Sequence, residues 1–178
     1  MRILGVDPGS AVCGFGVVEG RPGQLRFIAA GTIRVTSLER GPDRLRKIHE
    51  HLLSVIDAHA PDAISLERHF IARNVQSAFR IGEARAMAML AAAERGLELF
   101  EYPPNQVKLA VAAFGHADKA QIKFMVRRTL DIAPGIELTD DAADALAIAL
   151  CHLSRPRMAK IADAAARRPR THRMIRLR

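Results

Sequence analysis

The sequence predicts an α/β domain with a mixed, five-stranded sheet flanked by helices. Three strand-like runs joined by short turns fill residues 2–35, which is typical of an antiparallel meander. Two further strand-like runs, 63–67 and 97–102, each follow a segment with helical periodicity. A meander followed by alternating helices and strands favours this class over an all-α or an all-β fold.

Length and charge indicate one folded domain followed by a basic tail. At 178 residues and 49% apolar content, the chain suits a single sizeable core, which we assign to residues 1–153. Residues 154–178 hold nine Lys or Arg residues against one Asp, whereas acids and bases balance in the rest of the chain. We expect this tail to be flexible, and both phosphate neutralisation and a solvated extension remain open for it.

Composition also predicts where the protein is located and the redox state of its cysteines. No apolar run approaches the roughly 18 to 20 residues of a membrane span, and the N-terminus lacks the pattern of a secretory leader. We therefore expect a cytoplasmic protein without membrane contact. Cys13 and Cys151 are far apart within apolar patterns, so we expect buried, reduced thiols rather than a disulfide or a cysteine metal site.

The first strand ends in a carboxylate that is a candidate functional group. Asp7 closes an apolar run, and a Pro-Gly-Ser turn leads from it into the second strand. Because burial of an unpaired carboxylate is costly, Asp7 is expected to face a cation or a polar partner. Gly9, Gly14 and Gly16 leave room for another group to approach the backbone.

A second strand-end acid and a very apolar helix follow. Residues 43–60 have the pattern of an amphipathic helix, and strand 63–67 ends in Glu67. The helix predicted over 74–95 is apolar beyond one face, so it is either deeply buried or faces a second subunit, and we favour a dimer interface. Its main stripe comprises Val75, Ala78, Phe79, Gly82, Ala86, Met89 and Leu90.

The C-terminal part of the domain adds basic and acidic helices. Helices are predicted over 105–114 and 118–130, and the second has capping-box spacing at its N-terminus. A helix is also predicted over 140–150. Asp141 and Asp144 lie three residues apart on its first turn and therefore point the same way.

The candidate catalytic and metal-binding residues are the four acids Asp7, Glu67, Asp141 and Asp144. Gathered in one cleft, they would repel one another unless a cation lay among them. Oxygen ligands suit Mg²⁺ or Mn²⁺, and two such ions about 3.5–4 Å apart clamp the attacking water and the leaving oxygen of a phosphodiester. A nuclease is therefore the natural chemistry. Each acid alone also has a structural explanation, at a helix N-terminus or at a solvated strand end.

Several separated motifs resemble the RuvC family of bacterial Holliday-junction resolvases. They are, in chain order, residues 3–10, residues 64–67, Tyr102 with Gln106-Val107-Lys108, and residues 141–149. The resemblance implies a ribonuclease H-like fold, a homodimer, and metal-dependent cutting of two strands of like polarity at a four-way DNA junction in recombination and repair. It also implies 5′-phosphate and 3′-hydroxyl ends, two Mg²⁺ or Mn²⁺ ions per site, and the branch-migration partners RuvA and RuvB.

The resemblance also assigns roles to individual residues. The family's metal-binding acids match Asp7, Glu67, Asp141 and Asp144, with Asp7 placed to bridge two ions. Lys108 and Lys119 match basic positions near the active site, where a cation holds the scissile phosphate or stabilises charge in the transition state.

The further DNA-contact candidates lie around the same site. Phe70 matches an aromatic position near the junction centre, where a ring stacks on bases or wedges between them, although a packing role stays open for it. Arg73 and Arg80 lie on the same segment. Lys123 belongs to the locally basic stretch 106–128.

Some assignments and some competing functions stay open. Asp140 beside Asp141 leaves a question of register, and we choose Asp141 because the residues after it fit the motif. His69 has no place in the family pattern, and a surface histidine is the simpler interpretation. A YqgF-like nuclease acting on RNA and a junction-binding protein without catalysis both remain alternatives. An actin-like kinase is excluded because 178 residues leave no room for its second lobe.

Overall fold

The computed structural model describes residues 1–21, 23–36, 39–68, 75–113 and 115–166, with side chains described as far as residue 154. The elements in chain order are β1 (Arg2–Pro8), β2 (Val12–Arg21), β3 (Gln24–Arg34), α1 (Gly41–His59), β4 (Ala63–Glu67), α2 (Val75–Glu94), β5 (Glu98–Tyr102), α3 (Pro104–Ala112), α4 (Lys119–Thr129) and α5 (Asp140–Ala166).

The strands form one sheet in the order β3-β2-β1-β4-β5. The first three strands are the predicted antiparallel meander, while β4 and β5 run parallel to β1 on its other side. Parallel neighbours need a crossover connection, which α1 and α2 supply. The prediction of a mixed, five-stranded sheet flanked by helices is confirmed.

The register of the sheet brings the two strand-end acids together. Val6 of β1 pairs with Leu66 of β4, so the next residues of these neighbouring parallel strands are Asp7 and Glu67. Parallel strands in register point equivalent side chains to the same face. Both carboxylates therefore lie at the carboxyl ends of these two central strands and point to the same face of the sheet.

Helix α5 packs unusually close to the meander because β1 and β2 carry glycines beneath it. A Cβ at Gly16 would lie 2.8 Å from the backbone nitrogen of Leu146, and one at Gly14 would lie 2.1 Å from the carbonyl oxygen of Asp141. Any side chain at these positions would push the helix away. Helix α5 is thus the group for which the glycine pattern leaves room.

Local signals set most element boundaries. Asp118 and Gln121 form the predicted capping box of α4, with the Gln121 backbone N–H donating to Asp118 Oδ1 at 2.8 Å.

Cys13 and Cys151 are buried free thiols, as predicted. Helix α5 continues to Ala166, well beyond the predicted end at residue 150.

Helix α2 turns its larger apolar side chains outward. Its buried side is made of Ala84, Ala88, Ala91 and Ala92, which pack on the sheet together with α1. The exposed side includes Val75 (71% exposed), Phe79 (68%), Met89 and Leu90. We call this exposed stripe, with Gly82 and Ala86, the α2 apolar face. It is not buried in the core of the single chain.

In the described part of the chain, no helix has the length and apolar character needed to cross a bilayer.

Candidate active site

A cleft of about 250 Å³ opens at the ends of β1 and β4, where three helices meet the sheet. Its lining combines three acids, two lysines and an apolar floor: Asp7, Glu67, Asp144, Lys108, Lys119, Val107, Ile122, Ala147 and Ile148. Sequence reasoning did not select the apolar floor, because helical spacing of such residues is equally typical of a core.

Two helices with well-defined starts present the lysines of the cleft. Pro103 precedes α3 and Pro104 occupies its first turn, so the helix starts sharply and places Lys108 one turn inside it. The capping box fixes the first turn of α4, whose first residue is Lys119. Both ammonium groups therefore reach the cleft from helix starts with defined geometry.

Asp141 approaches Asp7 from the helix side. Thr139 precedes α5, and its hydroxyl oxygen accepts a hydrogen bond of 3.3 Å from the Ala142 backbone N–H. Asp7 pairs with Gly14 across the meander, and Gly14 lies directly against the Asp141 backbone. Within the described residues, Asp141 stands outside the cleft lining, but Asp7 and Asp141 lie close enough to act on one buried thiol.

That thiol is Cys13, on β2 beneath the acids. Burial raises the pKa of Cys13 to about 12, and the negative charges of Asp7 and Asp141 add to the effect. The thiol therefore stays neutral, and it reports that the two acids share one electrostatic environment. An apolar strand pattern did not distinguish this cysteine from any other buried one.

Burial and mutual repulsion act on the acids of the cleft. Burial raises the pKa of Glu67, Asp144 adds to the rise, and Lys108 and Lys119 oppose it. Burial likewise raises the pKa of Asp144, Lys119 opposes the rise, and Asp141 and Asp140 add to it. The cleft is lined by three acids and two lysines, so burial of its carboxylates is only partly compensated, and this condition favours a bound cation.

The structure separates Asp140 from Asp141. Lys123 Nζ donates a hydrogen bond of 2.8 Å to Asp140 Oδ1, and this bond lowers the pKa of Asp140. Asp140 thus carries its own partner on α4, although its charge and that of Asp141 both act on Asp144. The ion pair also competes with the prediction that Lys123 contacts DNA.

The acids fit a divalent ion by chemistry, although they are not yet gathered around one point. All four offer hard carboxylate oxygens, the ligands that Mg²⁺ and Mn²⁺ prefer. Among the described residues, no group of three His, Cys, Asp or Glu side chains is already spaced to hold one ion. Lys119 Nζ instead lies 3.7 Å from Asp144 Oδ2. Small side-chain movements would be needed to form the metal site.

The remaining DNA-contact candidates lie away from the cleft lining or outside the described residues. Arg80 is on α2. Burial lowers the pKa of Arg44 on α1, and the nearby positive charge of Arg80 lowers it further. This places Arg80 on the opposite face of the sheet from α5. Phe70, Arg73 and His69 fall outside the described residues.

Sequence reasoning missed a buried polar pair next to the site. Tyr102 of β5 pairs with Glu67, and its hydroxyl shares a hydrogen bond of 2.8 Å with His152 Nδ1 of α5. His152 is only 5% exposed. The available signal was its position eight residues after Asp144, on the same side of α5.

A five-stranded sheet of this order, with acids meeting at the ends of adjacent central strands, is typical of the ribonuclease H-like class of proteins. The chain belongs to the RuvC family: the sequence model described as crossover junction endodeoxyribonuclease RuvC matches residues 3–152. The predictions of the family and of the ribonuclease H-like fold are therefore confirmed.

Individual relatives agree with this assignment. The crossover junction endodeoxyribonuclease RuvC of Chloroflexus aggregans is 45% identical over 152 residues, which cover 85% of this chain and 92% of that protein. The protein of the same name from Thermotoga petrophila is 40% identical over 161 residues, covering 90% and 97%. Thermus thermophilus RuvC, solved in complex with a Holliday junction substrate, superposes with a TM-score of 0.82 at 34% identity, covering 89% of this chain and 96% of that one.

Proposed function

We propose that this protein is a Holliday-junction resolvase that cuts two strands of like polarity at a four-way DNA junction and leaves 5′-phosphate and 3′-hydroxyl ends. The observation that carries the proposal is one cleft lined by Asp7, Glu67 and Asp144 together with Lys108 and Lys119. The substrate follows from the family, one member of which was solved with a Holliday junction.

The four acids are proposed as the metal ligands. The RuvC family consists of divalent-metal-dependent nucleases, and we propose Mg²⁺ or Mn²⁺, two ions per site, held by Asp7, Glu67, Asp141 and Asp144. When bound, such ions supply an activated water and stabilise charge on the leaving oxygen. The raised pKa values of Glu67 and Asp144 support this assignment, because burial disfavours their charged forms and a bound cation would stabilise those forms.

The basic residues of the site are proposed to bind the DNA backbone. Lys108 and Lys119 hold the scissile phosphate over the acids and stabilise the charge that develops on it. Phe70 is proposed to stack on bases near the junction centre, and Arg73 and Arg80 are proposed to contact phosphates. The nuclease domain in this proposal is residues 1–153, and residues 154–178 form a basic extension.

A homodimer is proposed because two incisions need two clefts. The α2 apolar face exposes several large side chains in a row, Phe79 at 68%, and a second copy of the chain would bury them. RuvA and RuvB are proposed as partners from family membership.

The test is a comparison of substrates in the presence of Mg²⁺ or Mn²⁺. A four-way junction, a linear duplex of the same sequence and a structured RNA are incubated with the full chain, and products are resolved by strand. We expect cutting of the junction, in two strands of like polarity. Preferential cutting of RNA would contradict the proposal and favour the YqgF-like alternative.

Asp7→Asn separates catalysis from binding. The variant should bind the junction in EDTA as well as the original chain does, because the change is confined to one carboxylate. It should not cut. Unchanged cutting would show that Asp7 is not a ligand, and loss of binding would show that its role is not confined to catalysis.

A further inference from the structure

Two ion pairs join α4 to α5, one helical turn apart. Lys119 Nζ lies 3.7 Å from Asp144 Oδ2, and Lys123 Nζ lies 2.8 Å from Asp140 Oδ1. The two lysines are four residues apart on α4 and the two aspartates are four residues apart on α5, so each set lies along one side of its helix. The pairs therefore stack where the two helices run in opposite directions.

The two pairs differ in how firmly each lysine is held. The Lys119 side chain is 75% exposed and its pair is long, which leaves the ammonium available to a ligand in the cleft. The Lys123 side chain is 35% exposed and donates a hydrogen bond of ordinary length. Lys123 is therefore held in a hydrogen bond with Asp140, whereas Lys119 makes only a long contact with Asp144.

Apolar packing holds α4 against α5 without supplying a directional contact between the two helices. Ile122 and Val126 anchor α4 in the core beside α5. Apolar contact is non-directional, so it resists separation of the helices better than a slide along the axis. A charge-assisted hydrogen bond has a preferred direction and distance, and the Lys123–Asp140 bond supplies one a single turn from Lys119.

We propose that Asp140 and Lys123 form a clamp that fixes α4 along α5 and so holds Lys119 beside Asp144. In this arrangement both residues are positioning residues. Asp140 is not a metal ligand, and Lys123 is not a DNA contact. The inference rests on the proposed junction cleavage, because Lys119 matters through the phosphate it holds.

The test uses Asp140→Asn and Lys123→Gln, alone and together. Each single variant should lower kcat on a four-way junction about tenfold, because displacement of a positioning group by a fraction of an ångström is enough for such a loss. The affinity for the junction in EDTA should not change. The double variant should be no worse than either single variant, and Lys123→Arg should restore most of the rate.

A second measurement is independent of activity. Amide hydrogen exchange of the metal-free protein should be faster in the first two turns of α4 in Asp140→Asn than in the original chain, because the clamp no longer opposes local opening. Exchange in α1, on the opposite face of the sheet, should not change.

Three outcomes would overturn the clamp. Tighter binding of the junction by Asp140→Asn would show that Lys123, once released, contacts DNA. A higher metal concentration for half-maximal cutting by Asp140→Asn would show that Asp140 is a ligand. Unchanged kcat in both single variants would show that the ion pair positions nothing.

Matched controls remove the effect of charge alone. Asp131→Asn changes an exposed acid just after α4, and Lys47→Gln breaks a 3.1 Å pair with Glu39 at α1. Both controls should cut at the original rate. A chain that does not cut junctions at all contradicts the proposed function, whereas a cutting chain with unaffected clamp variants contradicts only the clamp.

Discussion

The two faces of the sheet are both covered by alanine-rich helices, but the helices differ in which side chains they bury against the strands. On one face, α5 lies against glycines of β1 and β2, and its alanines and aspartates come within contact of the strand backbone. On the other face, α2 buries only its alanines and leaves Val75, Phe79, Met89 and Leu90 exposed.

The difference shows what each face supplies. Close packing of α5 fixes Asp141 and Asp144 relative to the strand-end acids, as a catalytic cleft requires. The outward-pointing side chains of α2 leave an apolar surface that a second molecule could bury. We propose that the α5 face carries the chemistry and the α2 face the assembly, and each prediction below tests one side of that division.

The largest effect is expected for Glu67→Gln. Removal of one proposed metal ligand should lower the single-turnover cutting rate roughly 10²–10³-fold, the range for one preorganised electrostatic group. Glu98→Gln, at the opposite end of the parallel strands, is the control and should cut normally. Equal rates for the two variants would place the chemistry elsewhere.

The next largest effect is expected for Phe79→Glu on the α2 apolar face. A buried aromatic at the centre of an interface contributes about 2–4 kcal/mol, so the charge should convert a dimer into monomers at micromolar concentration. Phe124→Glu changes another exposed phenylalanine, on α4, and should leave the dimer intact. Sedimentation analysis measures both, and a dimer that survives Phe79→Glu would remove the assembly role of this face.

Gly14→Ala tests the close packing of the α5 face. The added methyl group would meet the Asp141 carbonyl oxygen, so we expect about 1–3 kcal/mol of destabilisation and a loss of cutting. Gly41→Ala, where a methyl group meets open space, should be neutral. Urea denaturation measures the stability. A neutral Gly14→Ala would show that the start of α5 is free to move.

The smallest effect is the pH dependence of the metal-free protein. The pKa values of Glu67 and Asp144 are raised, so between the ordinary carboxyl range and the raised values the folded chain binds more protons than the unfolded chain. Stability should therefore fall as pH rises through this window. In thermal unfolding at a series of pH values, the stability of Glu67→Gln should fall less steeply with rising pH than that of the original chain. An identical slope would show that Glu67 carries no such penalty.

The strand-end acids were predictable from the sequence because their meeting depends only on strand order and register. Two apolar strands, each closed by an acid, place Asp7 and Glu67 side by side once the strands pair in parallel. The glycines beneath α5 were predictable for a similar reason, since few other roles explain Gly14 and Gly16 within one strand.

Features that depend on packing between distant elements were not predictable. The pairing of Asp140 with Lys123 depends on the position of Lys123 on α4, which no local pattern specifies. The outward side of α2 was ambiguous because alanine suits a buried and an exposed helix surface equally. The length of α5 was underestimated because its periodicity weakens after residue 150.

The central claim is that four acids from β1, β4 and α5 hold divalent ions in one cleft. Crystals soaked in Mn²⁺ test it directly through the anomalous scattering of the metal. We predict anomalous peaks enclosed by Asp7, Glu67, Asp141 and Asp144, and their loss in Asp7→Asn. Peaks bound elsewhere, or an unchanged pattern in Asp7→Asn, would contradict the claim.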